Sequence, residues 1–120
     1  MEQGPSTSDG RPEKYDVVVT ARHTGEGEGR TIAFSLQQDG KQLDRALYDT
    51  RNLPAGEETG ILNYTVEGGK IRLAAFPQTW HGVSVAEADK VLDVTKCGAP
   101  VVEFRADVSD GMVRLSSNCD

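Results

Sequence analysis

At 120 residues the chain is long enough to close one hydrophobic core, and it fits a single domain. Its 13 Lys and Arg against 19 Asp and Glu leave a formal charge of −6, which repels phosphate backbones and anionic lipids. No apolar run approaches the roughly 20 residues that cross a bilayer, and a 37% hydrophobic content with 13 Gly and 5 Pro excludes disordered and collagen-like classes while requiring many turns.

The opening MEQGPSTSDGRPEK has no apolar residue after Met1, so it is not read as a signal peptide. Residues 1–14 form an expected flexible polar lead-in, and residues 15–120 form the single domain. In YDVVVTAR the residues Tyr15, Val17, Val19 and Ala21 share one face; in TIAFSLQ, Ile32, Phe34 and Leu36 do. Alternation of period two marks half-buried strands of an antiparallel sheet.

Asp39-Gly40 is a type I′ hairpin signal, since both central positions need positive φ. Folding there pairs Leu36 with Leu43 and Ile32 with Leu47, and sets Arg45 opposite Phe34, which suggests a bulge. The following KQLDRALYD also spaces Leu43, Ala46 and Leu47 as a helix would, making it the weakest strand assignment. Gly68-Gly69 predicts a second hairpin, with Val66 against Ile71, Tyr64 against Leu73, Leu62 against Ala75, and Glu67 beside Lys70. A helical turn over Ala86–Lys90 and a strand over Val91–Lys96 are expected next. Asp110-Gly111 predicts the last hairpin, with Val108 facing Val113, Ala106 facing Leu115, and Asp107 facing Arg114.

About seven or eight short strands with almost no helix predict an all-β, antiparallel, immunoglobulin-like β-sandwich, with a small barrel as the alternative.

Both cysteines flank the last hairpin, whose register sets Cys119 opposite Val102. The bend Gly98-Ala99-Pro100 can return Cys97 to the chain end, so a Cys97–Cys119 disulfide is expected, with two buried thiols as the alternative. A bridge would constrain the unfolded chain by about 3 kcal/mol and would imply an oxidising, extracytoplasmic compartment. The pair is not C-x-x-C, and His23 and His81 lack zinc-finger spacing, so neither redox chemistry nor a metal is expected.

The polar lead-in PSTSDGRPEK, the segment RNLPAGEETG and the closing CGAPVVEFRADVSDGMVRLSSNC resemble extracytoplasmic immunoglobulin-like domains of prokaryotic cell-surface and lipid-anchored proteins, especially those of salt-loving archaea. That resemblance implies adhesion, scaffolding or an unassigned role, and it transfers no active site. The lipid-modified cysteine that precedes the linker in such proteins is absent here.

Nucleophilic catalysis needs Ser or Cys beside His and an acid; the chain has two histidines, no G-x-S-x-G and no H-E-x-x-H. A blue-copper site needs a histidine soon after its cysteine, and no histidine follows Cys97. No cofactor is expected and the chain is read as non-enzymatic. HTGEGEGR looks superficially like a phosphate loop, but it joins two strands and carries Glu26 and Glu28, so a plain connection is the reading, with weak calcium binding as the alternative.

FPQTWHGVSV holds the sole tryptophan, Trp80, next to His81, and the pair is the candidate binding site for an unknown protein or carbohydrate ligand. The alternative places Trp80 in the core. Asn63-Tyr64-Thr65 is a glycosylation sequon whose Asn63 should point outward. The expected function is a non-catalytic extracytoplasmic binding or structural module; a small protein inhibitor or ligand carrier on the same scaffold is the runner-up. No nucleic acid or membrane insertion is expected, and no motif specifies an oligomeric state.

Overall fold

The computed structural model describes residues 13–78, 85–109 and 111–119. They form eight strands: β1 Tyr15–His23, β2 Thr31–Gln38, β3 Lys41–Asp49, β4 Thr59–Val66, β5 Lys70–Gln78, β6 Ala88–Asp93, β7 Val101–Ser109 and β8 Met112–Ser117. Two four-stranded sheets result, ordered β4-β1-β7-β8 and β3-β2-β5-β6. They stack as an all-β sandwich, with β3 beside β4 at one side and β6 beside β8 at the other.

The alternating residues of β1 make the core as expected: Tyr15, Val17, Val19 and Ala21 are buried, opposed from the second sheet by Ile32, Phe34, Leu36, Ile71 and Leu73. Strand β2 goes further than its alternation suggests, because Ala33 and Ser35 on its outer face are buried too. Long side chains lie across that face: Ser35 Oγ donates to Gln42 Oε1 at 2.8 Å, and Arg45 reaches Gln78 Oε1 at 3.1 Å.

The Asp110-Gly111 register holds at all three expected pairs, Ala106–Leu115, Asp107–Arg114 and Val108–Val113. Asp39-Gly40 also turns as expected, with φ of 53° and 78°. A bulge between Leu36 and Gln37 then shifts the β2–β3 ladder by one, so Ile32 faces Tyr48 and Phe34 faces Ala46. The shift turns Tyr48 into the core and leaves Leu47 exposed. KQLDRALYD is therefore a strand, but the expected Leu36–Leu43 and Ile32–Leu47 pairs do not form.

Two expectations about the connections are corrected. First, β4 and β5 do not pair: β4 joins β1 in one sheet while β5 joins β2 and β6 in the other. Gly68-Gly69 is a corner between sheets. Gln38 Nε2 donates to Gly68 O at 2.7 Å, Gly69 N donates to Thr95 Oγ1 at 2.9 Å, and Val94 N donates to Gly69 O at 3.0 Å. The Gly68 φ of 149° and its contact with Thr95, whose Oγ1 would lie 2.8 Å from any Cβ, both require glycine.

Second, the helical turn falls on Val94–Cys97 (α1), and Ala88–Asp93 is strand. Asp93 caps the turn by accepting from Thr95 N at 3.0 Å, and Gly98 ends it in the left-handed conformation. The strand pairs are otherwise antiparallel as expected; β1 and β7 alone among the described pairs run parallel, from Asp16–Val101 to His23–Val108.

Cys97 and Cys119 form the disulfide, with Cα atoms 5.3 Å apart and a sequence separation of 22. Asn118 carries the β7–β8 pairing up to it: Glu103 N donates to Asn118 Oδ1 at 2.8 Å, and Asn118 Nδ2 donates to Val101 O at 3.0 Å. The bridge, α1, the Gly68-Gly69 corner and the Asp39-Gly40 turn thus close one end of the sandwich.

Candidate functional site

The opposite end is built by the connections after β1, β3 and β7 and by the residues before β6. His23 is the last residue of the Tyr15-Val17-Val19-Ala21 alternation and follows it inward, to 7% exposure. Its Nδ1 accepts from Gly25 N at 3.1 Å, so Nε2 carries the proton and donates to Leu53 O at 2.7 Å. One neutral tautomer thereby ties β1 to the segment after β3. The ring also meets Tyr48 edge-on, with centroids 6.1 Å apart. The Tyr48 hydroxyl is buried without a hydrogen-bond partner among the described residues, and burial raises its pKa.

Arg30, which closes HTGEGEGR, is the second staple. Its Nη1 and Nη2 donate to Glu87 Oε1 and Oε2 at 2.8 and 3.1 Å, a forked pair with both side chains at least three-quarters buried. Nη2 also donates to the carbonyl of Ser109 at 3.2 Å. Arg30 N and O bond to Thr50, through Oγ1 at 2.9 Å and through its backbone N–H at 3.0 Å. One arginine therefore holds three connections together.

Next to it, Asp49 accepts from Arg51 N and Nε at 3.0 and 2.9 Å and shapes the 3-10 turn Thr50–Asn52. The Arg51 guanidinium holds the Asp49 carboxyl below its usual pKa. Gly29 lies under Arg51, whose side chain a Cβ there would overlap.

Beside these staples an open cleft of about 470 Å³ is lined by Arg22, His23, Thr24, Gly56, Asp107, Val108, Ser109, Met112 and Arg114. Arg22, Asp107 and Arg114 form a row across the outer face of β1, β7 and β8, set by the registers Arg22–Asp107 and Asp107–Arg114. Asp107 turns to one side of that row: its Oδ1 accepts from Arg22 Nε at 3.3 Å and Nη2 at 3.0 Å.

Trp80 and His81, the residues singled out in the sequence, lie outside the described residues. Gln78, which precedes them, pairs with Thr31 at this same end. Asn63 is exposed on edge strand β4, facing outward as its sequon requires, and Thr65 Oγ1 donates to Asp16 Oδ1 at 3.0 Å. Glu26 and Glu28 belong to no group of three or more metal-ligating side chains among the described residues. His23, Arg30 and Glu87 were not identified from sequence as site residues. Only His23 had a readable signal, as the fifth member of the β1 alternation.

No family model matches the chain, and no curated protein matches it. Among solved structures it is similar to one titled "Crystal structure of the human-specific toxin intermedilysin", at 15% identity and a TM-score of 0.37, over 86% of this chain and 23% of that one. It is also similar to "Crystal Structure of Gram Negative Toxin", at 11% identity and a TM-score of 0.33, over 87% of this chain and 23% of that one. The chain spans about a quarter of either protein, and likeness at this level carries no functional argument.

Proposed function

We propose that this domain is an immunoglobulin-like, extracytoplasmic binding module without catalytic activity, and that it receives its ligand at the end opposite the disulfide. The observation that carries the reading is the open cleft of about 470 Å³ beside the His23 and Arg30 staples. A binding site gains affinity when its walls are held before the ligand arrives. Both ring nitrogens of His23 are committed to backbone partners, so the imidazole is an architectural element and not a general base. The disulfide supports an oxidising compartment, and with it secretion or tethering at a cell surface. Trp80 and His81, which come soon after Gln78 in sequence, are the residues we assign to this module's aromatic contact.

The test is a small-molecule fragment screen read by backbone amide shifts, combined with Trp80→Ala. Shifts clustered on residues 22–25, 54–57 and 107–114 are expected, together with weaker binding by a normally stable Trp80→Ala. Shifts clustered on the disulfide end would overturn the proposal. A blue-shifted native emission with a stability loss of roughly 3–5 kcal/mol in Trp80→Ala would assign that ring to the core.

A further inference from the structure

We infer that the cleft takes a small hydroxylated carboxylate, with Arg114 as the side chain that binds its anionic group. This rests on the reading of the cleft as the ligand site and gives that ligand a chemistry.

The arginines of this acidic chain are mostly matched to carboxylates: Arg22 to Asp107, Arg30 to Glu87, Arg51 to Asp49, Arg72 to Asp89 and Arg105 to Glu58. Arg114 is not. Asp107 faces it across the β7–β8 ladder, yet the carboxylate is bonded to Arg22 on the other side. The contact of the Arg114 guanidinium among the described residues is Met112 Sδ at 4.0 Å, and a thioether is a weak acceptor. Among the described lining residues, Arg22 and Arg114 against Asp107 leave one net positive charge (two minus one), in a chain whose formal charge is −6.

A planar guanidinium fork matches a carboxylate in both geometry and charge, so an anion is the group best suited to Arg114. The remainder of the cleft selects the body that carries it. Thr24 and Ser109 bring hydroxyls to the lining, and Met112, 51% exposed, offers an apolar surface beside them. A compact polyhydroxylated ring bearing a carboxylate, such as a uronic acid, presents hydroxyls, C–H faces and an anion together.

Galacturonate is the probe, with galactose as its neutral counterpart and acetate as the bare carboxylate, titrated into the intact chain. The readout is the Arg114 Nε–Hε signal together with backbone amides of the cleft. Galacturonate should shift the Arg114 signal saturably and more tightly than either control. Arg114→Gln should weaken binding at least tenfold, while Arg45→Gln, on the other sheet, should leave it unchanged. Arg114→Lys should retain an intermediate affinity, and thermal melting should confirm that each variant is folded. Equal affinity for galactose, or full affinity in Arg114→Gln, would overturn the role of the anion while leaving the cleft as a binding site. Equal affinity for acetate would overturn the hydroxylated body. Absence of saturable shifts for all three probes overturns the inference; only a fragment screen mapping elsewhere removes the underlying reading as well.

Discussion

Where β8 finishes, the sandwich is closed by a covalent bond between Cys97 and Cys119, a capped helical turn and a two-glycine corner. Where β1 finishes, longer connections meet through a buried histidine, a forked ion pair and backbone carbonyls. The first end is held by connectivity and the second by hydrogen bonds that a change of side chain can remove. That contrast separates two jobs: one end resists fraying, and the other presents polar groups around an opening. An open end needs such staples because loops without ladder partners otherwise order poorly, and the entropy of ordering them would be charged against ligand binding.

The largest effect that would sharpen this contrast comes from removing the bridge. Cys97→Ala/Cys119→Ala should lower stability by about 3 kcal/mol, since the bond closes a loop of 22 positions. Amide exchange in the double variant should accelerate first over residues 115–119, while residues 22–30 keep their protection. Uniform acceleration at both ends would show that the ends are not independent. Intact mass gives the simplest check of the bond itself, because unreduced, denatured protein should take up no alkylating reagent.

Glu87→Gln is the matching change at the other end. It keeps shape but removes the charge from a pair that is at least three-quarters buried. A loss of about 1.5–3 kcal/mol is expected, the range for hydrogen bonds to charged groups. Exchange should rise over residues 24–30 and 109–112, because Arg30 also bonds the Ser109 carbonyl. A loss below about 0.5 kcal/mol would place this pair with ordinary surface ion pairs.

The same contrast explains what could be read in the sequence. Strand β1 was legible because Tyr15, Val17, Val19 and Ala21 all project into one core, and the last hairpin was legible because its turn sets the register directly. Gly68-Gly69 was not. A hairpin and a corner both place Val66 and Ile71 facing the core, so local pattern cannot tell them apart. The decision lies with Gln38 and Thr95, which hold the glycines from about 30 and 26 positions away. The helical turn moved from Ala86–Lys90 to Val94–Cys97 because Asp93 and Gly98 cap it, a signal present in the sequence but outweighed by the apolar alternation expected there. The site was less legible than the fold. Arg30 and Glu87 are 57 positions apart, and Arg114 gains its character only because Asp107 turns toward Arg22.

The smallest expected effect concerns Tyr48, which lies behind the open end against His23. Its hydroxyl is buried and finds no partner among the described residues, so it pays desolvation without a compensating bond. Tyr48→Phe keeps the ring in the core and removes that group, and should change stability at neutral pH by less than about 1 kcal/mol, toward a gain. A second readout separates this from a neutral packing change. Burial raises the Tyr48 pKa in the folded state, so the unfolded chain releases the phenolic proton first as pH rises. The stability due to the protonated, buried form is complete below the unfolded value of about 10 and is lost as pH climbs through the folded value. The native protein should therefore lose stability above about pH 10 more steeply than Tyr48→Phe does. Parallel alkaline profiles, or a loss well above 1 kcal/mol in the variant at neutral pH, would mean that the hydroxyl has a partner at this end and that the staples there number one more than His23 and Arg30.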